Sequence, residues 1–411
     1  VSAATDATAS AATADRRPAV LPGGASGSPW VHVLRAAAAL AAAMGVGRFV
    51  YTPILPLMHA QAGLSASAGA DLATANYLGY LAGALAGILL PATVRSPAVL
   101  RGSLVVLTAS LAAMPATHTV PVWFALRLLA GAASALVFVI AASSLFSRLR
   151  EHPAQLPGWG FGGVGAGIAL SGLLVLILRS TADWRAAWWS AAALAAVLAA
   201  AAWTLRPEPS PVPTDDVAGT GEPQDQPRRP RTHRWFACLL ASYTLEGIGY
   251  IIAGTFLVAA IEQTSPGWIG SGAWVLVGLA AVPSAALWAR LGRRWSRPDL
   301  LAAALVVQAV GIALPALVGG VAAALASAAL FGATFIGIST IALAAGAQLR
   351  FPRSVALLTA GYSVGQLLGP LVVTPLLHHG YHQALLLAAA VVLTAAAAAA
   401  LLRIGFPHRM Q

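Results

Sequence analysis

Apolar runs long enough to cross a lipid bilayer recur along the chain, with short polar breaks, from about residue 33 to residue 404. A hydrocarbon slab takes about 20 such residues per spanning helix. Twelve runs can be marked, at roughly 33–59, 71–93, 98–116, 120–147, 156–179, 185–205, 234–261, 268–290, 299–318, 321–347, 353–378 and 383–404. Charge is correspondingly scarce: 9% of the residues are charged, against about 25% in a soluble domain. The expected fold is an all-α integral membrane protein of twelve transmembrane helices. Between the sixth and seventh runs lies "RPEPSPVPTDDVAGTGEPQDQPRRPRTHR", which is polar and proline-rich and reads as a solvated linker. It divides the chain into a disordered tail (1–32), a six-helix bundle (33–205), a linker (206–233), a second six-helix bundle (234–404) and a short tail (405–411).

The net charge of +11 raises nucleic acid as a partner, but its placement argues for topology instead. All 24 basic residues are arginine. With the N-terminus in the cytoplasm, 20 of them fall on the cytoplasmic side, and only Arg179 and Arg185 lie in outer loops. A multi-pass protein of the inner (cytoplasmic) membrane is expected, with both termini and the linker in the cytoplasm. Residues 1 to about 30 show no apolar core after a basic start and do not read as a signal peptide. The lone Cys238 excludes an internal disulfide and reads as a packing residue. His378, His379 and His382 cluster without a carboxylate beside them, so no metal site is expected. No phosphate-binding loop is present, and no cofactor is expected.

The two halves resemble each other. "GVGRFVYTPIL" at 45–55 matches "GIGYIIAGTFL" at 247–257, an offset of 202. Gly131 and Gly332 are 201 apart, and Gly165 and Gly365 are 200 apart, in corresponding runs. Internal repeats in a membrane protein point to a transporter whose halves rock about a central site.

Charges inside the runs mark candidate sites. Arg48 lies about 14 residues into the first run, or roughly 21 Å along a helix rising 1.5 Å per residue. An arginine facing lipid at that depth costs several kcal/mol, so it must face protein or a water-filled cavity. Gly45 and Gly47 permit close approach or local unwinding, and Pro53 and Pro56 bend the far end of the helix. Glu246 lies at similar depth in the seventh run, and Tyr250 occupies the repeat position of Arg48. A carboxyl held between the cost of burial and the attraction of a nearby cation can carry a proton, so Glu246 is the candidate for proton coupling. A static Arg48–Glu246 ion pair remains the alternative. Arg127 either binds substrate or snorkels toward the outer surface. Tyr51, Asn76, Tyr77, Tyr80, Tyr362 and Gln366 are the remaining polar candidates for a substrate-lined cavity, each also suited to interhelical hydrogen bonding. The glycine steps 79, 83, 87 and 361, 365, 369 make smooth faces for helix contact.

Twelve helices in two halves resemble the major facilitator superfamily. "ARLGRRWSRP" at 289–298 resembles its basic loop signature, which implies a role in conformational change for Gly292, Arg293 and Arg294. "RLLAGAASA" at 127–135 and "GFGGVGAGIALSG" at 160–172 resemble its fourth- and fifth-helix patterns. "GVGRFVYTPILPLM", "ANYLGYLAGALAG", "YTLEGIGYIIAGTFLVA", "FGATFIGIST" and "GYSVGQLLGP" resemble the YbfB/YjiJ branch of that superfamily. The resemblance implies a non-enzymatic, monomeric secondary transporter of a small organic solute working by alternating access, and the reading of Glu246 adds coupling to protons, with another coupling ion as the alternative. Efflux of amphipathic, drug-like compounds is the rival within the class. A membrane-embedded enzyme acting on lipid is the rival outside it, and it would need a nucleophile or metal constellation that the sequence does not show.

Overall fold

In the computed structural model, residues 28–149, 152, 155–207, 232–265, 267–349, 351, 354–404 and 406 are described. Most of the two expected tails and the linker over 208–231 lie outside them, as do Arg150, Arg350 and Arg353. Among the described residues every regular element is helical. The helices are α1 (Pro29–Leu40), α2 (Tyr51–Ala62), α3 (Ala66–Leu89), α4 (Pro91–Val94), α5 (Pro97–Ala113), α6 (Val120–Arg148), α7 (Gln155–Leu178) and α8 (Trp184–Ala202). After the linker follow α9 (His233–Thr264), α10 (Ile269–Ala281), α11 (Ser284–Leu291), α12 (Arg297–Leu317), α13 (Gly320–Gln348), α14 (Ser354–Val373) and α15 (Tyr381–Leu401).

Among the described residues, ten helical segments are long and apolar enough to cross a membrane, or eleven if α10 and α11, bent by 43°, form one span. The remaining expected segment, the second, corresponds to α3. It has 24 residues and carries Asp71, Asn76, Tyr77 and Tyr80. The first span begins at Pro29 instead of 33, with the proline in the first helical turn, where its missing N–H costs nothing. Polar caps mark other starts: Ser65, Asp183 and Ser296 each accept a hydrogen bond from the backbone N–H three residues on. The sharp turn from α12 into α13 uses Gly319 and Gly320 at φ of 68° and 78°, where a side chain would be strained.

In lipid there is little hydrophobic drive between helices, so close packing of small residues holds them together. A Cβ on Gly79 or Gly83 would stand 2.0 or 2.4 Å from the Leu128 or Ala132 carbonyl, so α3 and α6 touch through their backbones. Gly131 returns the contact against Asn76, and Gly332 makes the matching contact of α13 with Val277 of α10. Gly361, Gly365 and Gly369 lay α14 along α9. In the first half the same contact is made by Gly163 against Ala37 and Gly167 against Ala41. Gly165 faces the other half instead, against Gly278 and Val282. The halves therefore meet along α7 with α10 and α11, and again along α3 with α14.

Hydrogen bonds identify one end of the bundle as the face of the chain ends. There Trp235 donates to the Ile404 carbonyl and Ser144 to that of Arg206, while Arg403 pairs with Asp299.

Candidate functional site

The site begins with a fault in the first span. After α1 the chain passes through a π-helical stretch, Ala41–Val46, in which Gly47 N–H bonds to Ala42 and Phe49 N–H to Met44. Pro53 has no N–H, and the Phe49 carbonyl that it would serve in a regular helix takes Thr52 N–H instead. Two carbonyls are then left for a side chain. Arg127 of α6 supplies it: Nη1 donates to the Gly47 carbonyl and Nη2 to that of Arg48, both at 3.1 Å. Arg127 is 1% exposed and lies over the Tyr51 and Trp188 rings. It neither snorkels to a surface nor offers both ends of its fork to a solute. Asn76 donates to the Arg127 carbonyl, and Tyr51 to the Gly69 carbonyl. The structure thus places Arg127, Asn76 and Tyr51 as braces around the broken helix.

Arg48 points elsewhere, into the junction of the two halves. It is 2% exposed. Its Nη2 donates to Gln366 Oε1 of α14 at 2.7 Å, while Nε and Nη1 have no partner. The guanidinium sits 4.3 Å from the Tyr80 ring centre, 4.8 Å from that of Tyr77 and 5.4 Å from that of Phe49. Across the junction, Tyr362 stacks on Tyr243 at 4.4 Å and on Tyr250 at 5.9 Å, and Tyr250 continues the stack onto Phe335 and Phe331. Phe49 bridges the sides, edge-on to Tyr250 and tilted against Trp274.

Glu246 is not paired with Arg48. It is fully buried, and neither carboxyl oxygen has a hydrogen-bond partner. Gln308 of α12, also fully buried, bears on the carboxyl, yet its own amide atoms reach no partner at hydrogen-bonding geometry. The static ion pair left open by the sequence is absent. Tyr250 and Tyr362 lie within electrostatic reach of both Arg48 and Glu246.

Beyond Arg48, toward the face opposite the chain ends, the halves are latched. Thr52 donates to the Gly254 carbonyl at 2.5 Å. These residues are 202 apart, so repeat-related positions of the first and seventh spans meet each other. Thr255 gives its only hydroxyl proton to the Ile251 carbonyl, so Tyr77 donates to Thr255 at 2.7 Å. Further out, His59 and Tyr381 share a hydrogen bond of 2.9 Å, and Arg179 approaches Glu262 at 4.0 Å. Beyond Arg48, residues 49–55 and 251–261 are all buried, so the first and seventh spans are packed shut along this side. At the other end Gly292, Arg293 and Arg294 form an exposed turn after α11, remote from Arg48 in the chain and held by backbone bonds to Arg290 and Leu291. Among the described residues no three potential metal ligands converge.

A family model described as the uncharacterised MFS-type transporter YbfB matches residues 40–401. The chain belongs to that family. It is a multi-pass membrane transporter and not an enzyme. The fold is also that of a solved nucleoside transporter, NupG in a mutant form, at a TM-score of 0.67 and 15% identity, over 90% of this chain and 98% of that one. No curated protein matches the sequence.

Within this MFS-type frame, several residues of the junction escaped the sequence reading. Gln308 is a lone amide in the apolar stretch "LVVQAVGIAL", and that isolation was a usable signal. Thr52 with Gly254 could have been found by applying the 202-residue offset to polar side chains. Phe49, Phe331, Phe335 and Trp274 carried no signal, because an aromatic in an oily helix is ordinary packing.

Proposed function

We propose that the protein is a proton-coupled secondary transporter that moves a small organic solute by alternating access around Arg48. The observation that supports this most is a buried guanidinium with two unpartnered nitrogens at the junction of the two halves. An uncompensated buried charge is costly, and a solute carrying an acceptor would relieve it when it binds. Gln366, Tyr77, Tyr80, Tyr250 and Tyr362 line the junction with Arg48, while Arg127, Asn76 and Tyr51 keep its helix in shape. Glu246 takes up and releases the coupling proton inside the second half, with Gln308 as its neighbour. The exposed turn at Gly292, Arg293 and Arg294 moves as the halves rock. The face of the chain ends is cytoplasmic, in the cytoplasmic membrane, and the functional unit is a monomer of two bundles, 33–205 and 234–404. In proteoliposomes containing a pH-sensitive dye, a transported solute should change the internal pH with wild-type protein and not with Glu246→Gln. Solute movement without any proton movement in the wild type would reject the coupling.

A further inference from the structure

We infer that the solute is an aromatic carboxylate, an inference that rests on Arg48 being the transport site. Three features of the junction lead there. The first is an excess of donors. Nε and Nη1 of Arg48 hold three N–H donors without acceptors. No hydrogen bond joins the hydroxyl of Tyr80, Tyr250 or Tyr362 to another described residue. A guanidinium can only donate, so the missing partner supplies acceptors, and no carboxylate among the described residues pairs with Arg48. A neutral solute such as a nucleoside would leave the charge uncompensated.

The second feature is the count of charges. The chain has no lysine, and the nearest second cation, Arg127, is committed to two backbone carbonyls. One free guanidinium matches one negative charge. A phosphate dianion would bring a second charge with no counterpart, in a region where unpaired charge is expensive. A carboxylate fits, and the planar guanidinium suits its geometry.

The third feature is the wall. Tyr77, Tyr80 and Phe49 surround the guanidinium, and the Tyr362–Tyr250–Phe335 stack faces them from the other half. Flat rings in near-parallel array receive another flat ring at low cost in entropy and with added stacking attraction. A polyhydroxylated body would find few side chains to satisfy its hydroxyls.

The test is direct binding to the purified full-length protein, read by tryptophan fluorescence and thermal shift. The probes are benzoate, indole-3-acetate and 2-naphthoate, with cyclohexanecarboxylate and benzamide as controls. At least one aromatic carboxylate should bind saturably, about tenfold or more tighter than either control, and Arg48→Gln should abolish that preference. Equal binding of benzamide overturns the carboxylate, equal binding of cyclohexanecarboxylate overturns the ring, and no binding by any aromatic acid to folded wild-type protein overturns both. If Arg48→Gln fails to fold, the wild-type comparison still decides. Counterflow of the bound acid in proteoliposomes is scored separately. Binding without counterflow would support the solute class and reject the transport role, whereas counterflow of a neutral or aliphatic solute would do the reverse.

Discussion

Two arginines buried in the same half do opposite work, and the difference lies in their partners. Arg127 spends both terminal nitrogens on the Gly47 and Arg48 carbonyls, whereas Arg48 spends one nitrogen on Gln366 and keeps two free. Arg127→Gln should therefore lower stability, by roughly 1–3 kcal/mol for each carbonyl left bare, seen as a fall in melting temperature in detergent even without solute. An unchanged melting temperature would contradict its role as a brace. Arg48→Ala should do the reverse: lose solute binding and keep or raise stability, because it removes an uncompensated charge. Adding Glu246→Ala to it should not restore transport, since the two side chains are not paired. Restored transport in the double variant would show that they are. The burial of Arg48 was legible because depth can be counted along an apolar run. The role of Arg127 was not, because the carbonyls it serves are left bare only once the helix is broken, and Gly45, Gly47 and Pro53 marked that stretch without showing which side chain would serve it.

At the scale of helices, the contacts are backbone against backbone, and glycine positions carry them. Gly131→Ala should separate α3 from α6, since its Cβ would lie 2.0 Å from the Asn76 carbonyl oxygen, at a cost of about 1–3 kcal/mol. Gly102→Ala in α5 meets nothing within 4 Å and should be neutral or stabilise by up to about 1 kcal/mol. Equal melting temperatures for the two variants would contradict the packing. The latch on the closed side is equally testable. Thr52→Val and Tyr77→Phe each remove one hydrogen bond between the halves, worth about 1 kcal/mol, or several-fold in population. Cysteine labelling from the face opposite the chain ends should speed up by a similar factor, and unchanged labelling would mean that the latch does not hold that side shut. The repeat was legible for Gly131 and Gly332, which make equivalent contacts, and it failed for Gly165. The failure has a simple cause: an offset of 200 where 202 applies is a slip of two residues, or about 200° around a helix. That slip turns Gly165 away from α1 and toward the other half, and leaves Gly163 and Gly167 as the true counterparts of Gly365 and Gly369.

For the whole molecule, the recurrence of long apolar runs made the helical membrane fold legible, because a bilayer imposes a length on every span. The second span, α3, carries Tyr77 and Tyr80 beside Arg48. Topology reporters at residue 220 and at the C-terminus should both register cytoplasmic, as the arginine distribution expects, and an external signal from either would reverse the orientation. Glu246→Gln should abolish accumulation driven by a pH gradient while solute exchange continues, because exchange needs binding without net proton movement; wild-type pH dependence in that variant would remove Glu246 from coupling. The role of Arg48 itself can be tested without choosing a solute in advance. Small-molecule profiles can be compared between cells lacking the protein, cells making the wild type and cells making Arg48→Lys at equal membrane abundance. The expected result is that the wild type shifts the level of one or a few carboxylates across the membrane, and that Arg48→Lys, which keeps the charge and loses the planar fork, cuts that shift roughly tenfold. A solute that is moved equally well by the wild type and by Arg48→Lys would contradict the grip assigned to this guanidinium.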